Sequence, residues 1–113
     1  MARLLVSFAA MALGLLEVWL CWVGSQRRLR TRHPLGIPLA SVRRSDAAWY
    51  TAHEAAAGAY GLGGGVAAVC GMAILVNGLD VIGVGLAVVA AVALVAGAVG
   101  AAVVGSRAAA TVC

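Results

Sequence analysis

A stretch of 24 residues, 81–104, contains no charged side chain and no proline, and this feature constrains the fold most. A helix of that length measures about 36 Å, more than the roughly 30 Å of hydrocarbon in a bilayer. The chain of 113 residues is 64% hydrophobic and 11% charged, whereas about 25% of the residues of a soluble domain are charged. A globule this small cannot bury so many apolar side chains, because much of its surface stays in contact with water. The sequence therefore predicts an integral membrane protein rather than a soluble domain or a disordered chain.

Two further apolar runs bring the number of predicted transmembrane helices to three. The first run is interpreted as a retained helix, because no small-residue cleavage site of a secretory signal follows it. Between the second and third runs, Asn77-Gly78 is a strong turn dipeptide, so these two helices should form a tight antiparallel hairpin. The predicted fold class is thus an all-α membrane protein. Its single domain, 1–113, divides into a transmembrane segment at 4–23, a cytoplasmic loop at 24–54, and two transmembrane segments at 55–76 and 80–104.

The charges are concentrated in the loop between the first and second helices. That loop contains six of the eight arginines, whereas the opposite side of the membrane would hold only Arg3 and Asp80. The positive-inside rule predicts a cytoplasmic loop, with the N-terminus out and the C-terminus in, in the inner membrane of a bacterial cell. We expect these arginines to contact the headgroups of an anionic lipid bilayer and not nucleic acid, because they border a membrane span and lack interleaved aromatic residues. They are Arg27, Arg28, Arg30, Arg32, Arg43 and Arg44.

The loop ends at a predicted helix start. Ser45 is a favourable N-cap, Asp46 complements the helix dipole, and no breaker separates this point from the second span. Asp46, Trp49 and His53 are spaced by three and four residues and so share one helix face. This face predicts either a membrane anchor with a local hydrogen-bonded network or a recognition surface for a peptide, a lipid headgroup or a protein. No catalytic arrangement or metal-ligand spacing accompanies it, so we expect no enzymatic activity, no metal and no cofactor.

Residues 36–53, GIPLASVRRSDAAWYTAH, resemble the signature loop of the SdpI family of small bacterial membrane proteins. That signature contains a glycine, then an acid preceded by Ser or Asn, then a tryptophan, and finally Asn or His four residues after the tryptophan. It lies between the first and second transmembrane segments of the family, as it does in this chain. The resemblance implies that the matching residues bind a peptide or protein partner. They are Gly36, Ser45, Asp46, Trp49 and His53.

The resemblance also implies a function in immunity or signalling. The family is best known for protecting a producing cell from a secreted killing peptide and for holding a repressor at the membrane, so a toxic peptide or a membrane-protein partner is expected. Pro38 and Leu39 depart from the Arg and Thr or Ser of the family, which removes a cation and a hydroxyl. Glu54 replaces a basic residue and Ala57 replaces a glycine.

Glu17 is an intramembrane ionisable residue and suggests a different class of function. A carboxyl group within a transmembrane helix is costly when charged, so it is either bonded internally or functional. Small proton-coupled multidrug transporters resemble this chain in length and in a glutamate in the first helix. The alternatives to the immunity function are therefore a proton-coupled exporter that uses Glu17 and a structural accessory subunit of a larger membrane complex.

Small residues recur along the second and third helices and predict close helix packing. The packing serves either the internal hairpin or a homo-oligomer. Cys21 and Cys70 lie at different depths, about 22 Å apart along the membrane normal at 1.5 Å per residue, so we expect no disulfide between them. The predicted packing residues are Gly61, Gly65, Gly97, Ala101 and Gly105.

Overall fold

The computed structural model describes residues 1–31 and 33–112 and contains only helices, turns and irregular loops within those ranges. Three of its helices are long and apolar enough to cross a membrane, which confirms the predicted class of an all-helical, multi-pass protein. Their mean hydropathies are 2.1, 1.8 and 2.6 in chain order. The helices are α1 Ala2–Ser25, α2 Ala40–Arg43, α3 Asp46–Asn77 and α4 Val81–Ala109.

Helix α3 lies in the middle of the bundle and packs along both α1 and α4, whereas α1 and α4 touch over only a short stretch. The molecule measures 50 × 20 × 18 Å. The long dimension agrees with the 32 residues of α3, which extend about 48 Å at 1.5 Å per residue. Many large apolar side chains, including Leu62, Val69, Val88 and Val95, remain exposed on the outside of the bundle, where a bilayer would cover them.

The predicted helix start at Ser45 is confirmed. Its hydroxyl accepts a hydrogen bond from the Ala48 backbone N–H at 3.0 Å, and α3 continues without interruption to Asn77. At the hairpin, Gly78 alone takes a positive φ, of 93°, while Asn77 is still helical. Asp80 then caps α4 by accepting a hydrogen bond from the Gly83 N–H at 2.8 Å.

All three long helices extend beyond the predicted apolar spans. Helix α1 covers Ala2–Ser25 instead of 4–23, and α4 continues to Ala109 instead of ending at 104. The reason is that backbone hydrogen bonding continues through polar residues such as Arg107, whereas a hydropathy boundary marks only where the apolar side chains end.

Candidate functional site

Residues 26–45 fold into a cap across one end of the three long helices, and Arg32 lies outside the described residues. The cap contains turns, an irregular segment at 37–39 that includes Pro38, and the short helix α2. Its apolar side chains Leu29, Ile37 and Val42 are buried in one cluster with side chains from α1, α3 and α4. The arginine-rich loop is therefore a packed structure with its own part of the core.

Trp49 holds the cap to α3. Its side chain is 1% exposed, and its indole N–H donates a hydrogen bond to the Leu29 carbonyl at 3.1 Å. The Arg43 guanidinium lies 5.1 Å from the centre of the indole ring, within the range of a cation–π interaction. Trp49 therefore anchors the cap rather than the bilayer, and it presents no surface to a partner.

His53 completes a buried hydrogen-bonded network with Trp49 and the cap. The Ile37 backbone N–H donates to Nε2 of His53 at 3.0 Å, so Nε2 carries no proton. Nδ1 lies 2.8 Å from the Trp49 carbonyl oxygen and donates to it. Both ring nitrogens of a neutral imidazole are thus satisfied, and the network that the helix-face spacing predicts is confirmed for Trp49 and His53. Asp46, the third residue of that pattern, is exposed.

Gly36 lies against both aromatic rings of the network. A Cβ atom at this position would lie 2.7 Å from Cζ2 of Trp49 and 2.9 Å from Nε2 of His53. Only glycine leaves room for the chain to pass over the two rings and to place the next N–H, that of Ile37, on His53. The five residues of the SdpI-like signature therefore have different roles: Gly36, Trp49 and His53 form one contact, Ser45 caps α3, and Asp46 faces outward.

Two of the predicted lipid-binding arginines are instead used inside the cap. Arg43 donates from Nε to the Ile37 carbonyl at 3.2 Å and from Nη2 to the His33 carbonyl at 3.1 Å. Arg44 donates to the carbonyls of Ala109 and Val112 at the end of α4, 65 and 68 residues away in sequence. These guanidinium groups tie the cap together and to the end of α4.

The other described arginines of the cap are exposed, as Arg44 is. Arg27 forms an ion pair with Glu54 at 2.9 Å and lies 5.4 Å from the centre of the Tyr50 ring. Arg28 lies 5.8 Å from the ring centre of Trp22, which is itself exposed. With Arg30, these residues form a basic surface on the outside of the cap. We refer to Arg27, Arg28 and Arg30 as the basic surface.

A second polar feature lies deeper in the bundle, around Glu17. Glu17 is 8% exposed, and its Oε1 atom has no hydrogen-bond partner within the described part of the chain. A Cβ atom on Gly97 would lie 2.5 Å from Oε1, and one on Gly63 would lie 3.0 Å from it. Helices α1 and α3 also meet backbone to backbone, because a Cβ on Gly14 would lie 2.5 Å from the Gly64 carbonyl oxygen. We call these five residues the glycine node.

The predicted small-residue contacts are divided between two interfaces. The three predicted on α4 are buried, and Gly97 and Gly105 lie directly against α3. Gly61 faces the Cys21 sulfur of α1 rather than α4, and Gly65 has open space on its Cβ side, so it makes no close contact within the chain. Cys21 and Cys70 are free thiols. The three predicted residues on α4 are Gly97, Ala101 and Gly105.

The sequence analysis missed several residues that position these sites. Ile37 lies directly after Gly36 and before Pro38, in an apolar segment between two groups of arginines, and this pattern could have indicated a buried anchor. Gly14 lies three residues before Glu17, and Gly63-Gly64 lie inside a glycine-rich run, so their combination could have indicated close packing around the acid. The 31-residue and 80-residue ranges that the structure describes contain no group of three His, Cys, Asp or Glu residues able to hold a metal.

Comparisons of the chain with models of known protein families, with curated proteins and with solved structures find no match.

Proposed function

We propose that this chain is a non-enzymatic membrane protein of the SdpI type, which acts in immunity or signalling by binding a partner at its capped end. The observation that carries the proposal is the buried Gly36–Trp49–His53 contact. It gives three of the five signature residues a shared physical purpose, which is to hold the arginine-rich loop in one folded form. A preformed surface binds with a smaller loss of conformational entropy than a flexible loop.

The basic surface is the best candidate for the part that meets the partner. Arg27, Arg28 and Arg30 are exposed, and Arg27 also pairs with Glu54, whereas Arg43 and Arg44 are bonded to backbone carbonyls. Three exposed guanidinium groups favour a partner with carboxylate or phosphate groups. We therefore propose that the surface binds anionic lipid headgroups and an acidic segment of a peptide or membrane protein. In this interpretation, Trp49 and His53 are positioning residues.

The proposed orientation places the cap in the cytoplasm of a bacterial cell. It can be tested with single cysteines in a chain whose natural cysteines are replaced. Ser41→Cys lies on an exposed part of the cap, and Asn77→Cys lies at the opposite end of α3. A membrane-impermeant maleimide should label the Asn77→Cys variant in intact cells and the Ser41→Cys variant only after permeabilisation. The reverse pattern would contradict the proposed orientation.

The proposed function can be tested by deleting the gene in its natural host and exposing the deletion strain to conditioned medium from the parent strain. If the chain gives immunity, the deletion strain should grow poorly in that medium, and expression of the chain should restore growth. Unimpaired growth of the deletion strain would contradict the immunity function.

The same assay distinguishes the basic surface from the fold that supports it. Arg28→Gln combined with Arg30→Gln changes exposed side chains only and should abolish the restored growth while the protein accumulates normally in the membrane. Glu17→Gln should restore growth as well as wild type does, because the carboxyl group lies in the bundle and not in the cap. Full protection by the double arginine variant would exclude the basic surface as the binding site.

A further inference from the structure

His53 holds the cap to α3 only while one of its ring nitrogens carries no proton. Nε2 accepts the Ile37 backbone N–H at 3.0 Å, and Nδ1 donates to the Trp49 carbonyl at 2.8 Å. A neutral imidazole has one donor and one acceptor and fits both positions, whereas a protonated imidazole has two donors. In the protonated form, the N–H groups of Nε2 and Ile37 would face each other. The hydrogen bond that fastens the cap would then become a repulsion.

The surroundings of His53 oppose a positive charge on its ring. His53 is 1% exposed, so water does not solvate a charge there. Among the described residues, the charged side chain that acts on the ring is Arg43 of α2, which has the same sign as a protonated imidazole. The neighbours from α1 and from the cap are Gly24 and Gly36, which carry no charge. The adjacent acid, Glu54, is exposed and is bonded to another side chain.

The segment that lies on His53 moves together with Arg43. The Arg43 guanidinium donates to the carbonyls of Ile37 and His33, so repulsion between Arg43 and a protonated His53 pushes the same segment away from α3. The contact also leaves no room for a bridging water, since a Cβ atom on Gly36 would lie 2.9 Å from Nε2. Protonation of His53 is therefore relieved by opening of the cap and not by a small adjustment within it.

We propose that the cap is a pH-sensitive latch, which neutral His53 holds closed and protonation of His53 opens. The pKa of an imidazole in water is about 6.5, so His53 of the open cap takes up a proton in a pH range where the closed cap keeps the ring neutral. Below about pH 6.5, each pH unit should favour opening by up to about tenfold. The basic surface belongs to the cap and is dispersed when the cap opens. This inference goes beyond the proposed function, because opening requires no partner.

The rate at which trypsin cleaves after Arg43 measures the opening, because the closed cap holds that side chain by two backbone carbonyls. The purified full-length chain in a mild detergent is digested at about pH 7.5 and at about pH 5.5, one unit on either side of the imidazole pKa. A synthetic peptide with the sequence of residues 36–50 is digested in parallel and corrects for the effect of pH on the protease. The corrected rate should be about tenfold higher at the lower pH.

Matched variants assign the pH dependence to His53. His53→Gln should abolish the rise in rate, because the amide oxygen of glutamine accepts a hydrogen bond as Nε2 does and does not titrate. The other histidine of the chain is His33, whose Nδ1 atom accepts the Leu35 N–H. His33→Gln is the control and should keep the tenfold rise of wild type.

Nuclear magnetic resonance keeps the test decisive if His53→Gln is cleaved rapidly at both pH values. The His33→Gln variant contains His53 as its single histidine, so the signals of its nitrogen-labelled ring belong to that residue. While the cap is closed, the ring should be neutral at both pH values, with its proton on Nδ1. The inference is wrong if the corrected rate does not rise in acid or if the rise persists in His53→Gln. It is equally wrong if His53 is protonated at the lower pH in a chain that still resists trypsin.

Discussion

The cap and the glycine node both place a buried polar side chain against a glycine, yet they differ in how that side chain is bonded. In the cap, His53 lies beside Gly36, and both of its ring nitrogens have backbone partners. In the glycine node, Glu17 lies beside Gly97, and its Oε1 atom has no partner in the described part of the chain. The packing is similar, but only His53 has hydrogen-bond partners for its buried polar atoms.

This difference separates a buried polar group whose hydrogen bonds are satisfied from one whose hydrogen bonds are not. Buried polar groups are nearly always hydrogen-bonded, so a satisfied pair such as His53 and Ile37 is accounted for by the fold alone. An unsatisfied buried group costs about 1–3 kcal/mol, and the fold keeps such a group only where something else offsets that cost. The comparison therefore predicts that substitutions in the cap lower stability more than a substitution of Glu17 does.

The largest expected effect comes from Trp49→Ala. Loss of a buried aromatic side chain costs about 3–5 kcal/mol, and here it also removes the hydrogen bond to Leu29. The cap should open in the variant at least about a hundred times more often than in wild type, since 1.4 kcal/mol corresponds to a factor of ten. The rate at which trypsin cleaves after the cap arginines measures this opening. Trp22→Ala is the control, because Trp22 is 52% exposed, and its cleavage rate should stay close to that of wild type.

Gly36→Ala tests the contact between the cap and the network with a single methyl group. The alanine Cβ would lie within 3 Å of Trp49 and His53, and overpacking of this kind costs about 1–3 kcal/mol. Near-ultraviolet circular dichroism of the tryptophans during heating should show a lower unfolding midpoint. Gly58→Ala on α3 meets no atom within 4 Å and should leave the midpoint unchanged or raise it slightly, because alanine is the better helix former. Equal midpoints for the two variants would contradict the close contact.

The residues that could be predicted from the sequence are those whose partners are local. The Ser45 hydroxyl accepts from a backbone N–H three residues further along the chain, and Gly78 turns the chain between two adjacent helices. The apolar runs predicted three long helices because the rise per residue of a helix and the thickness of a bilayer together fix the length of a transmembrane span. Each of these features depends on neighbours in sequence, which a pattern can describe.

The contacts that complete the cap could not be predicted, because they join residues far apart in the chain. His53 accepts from Ile37 across 16 residues, and Arg44 reaches Ala109 across 65. The spacing of Trp49 and His53 indicated one shared face but not whether that face meets lipid, a partner or the chain itself. That the face is internal follows only from the packing of the cap, including α2, onto α3.

Glu17→Gln should have a smaller effect on stability than either cap variant. Gln has nearly the same shape as Glu, and no hydrogen bond to Oε1 is lost, so we expect the free energy of unfolding to change by about 1 kcal/mol or less. His53→Ala is the matched comparison, because it leaves the buried Ile37 N–H without an acceptor and should cost about 1–3 kcal/mol. Thermal unfolding in mild detergent measures both. A large destabilisation by Glu17→Gln would mean that the acid is structural, as His53 is.

The smallest effect is expected for the exposed ion pair between Arg27 and Glu54. Glu54 is an exposed, paired carboxylate that can be compared with the buried Glu17. Their side chains are 49% and 50% exposed, so water screens their attraction, and such pairs contribute about 0.2–1 kcal/mol. A double-mutant cycle with Arg27→Gln and Glu54→Gln should give a coupling energy in that range, and high salt should reduce it. A coupling above about 2 kcal/mol that persists in high salt would show that the pair is buried in the bilayer interface. Glu54 would then resemble Glu17 in its surroundings and differ from it only in having a partner.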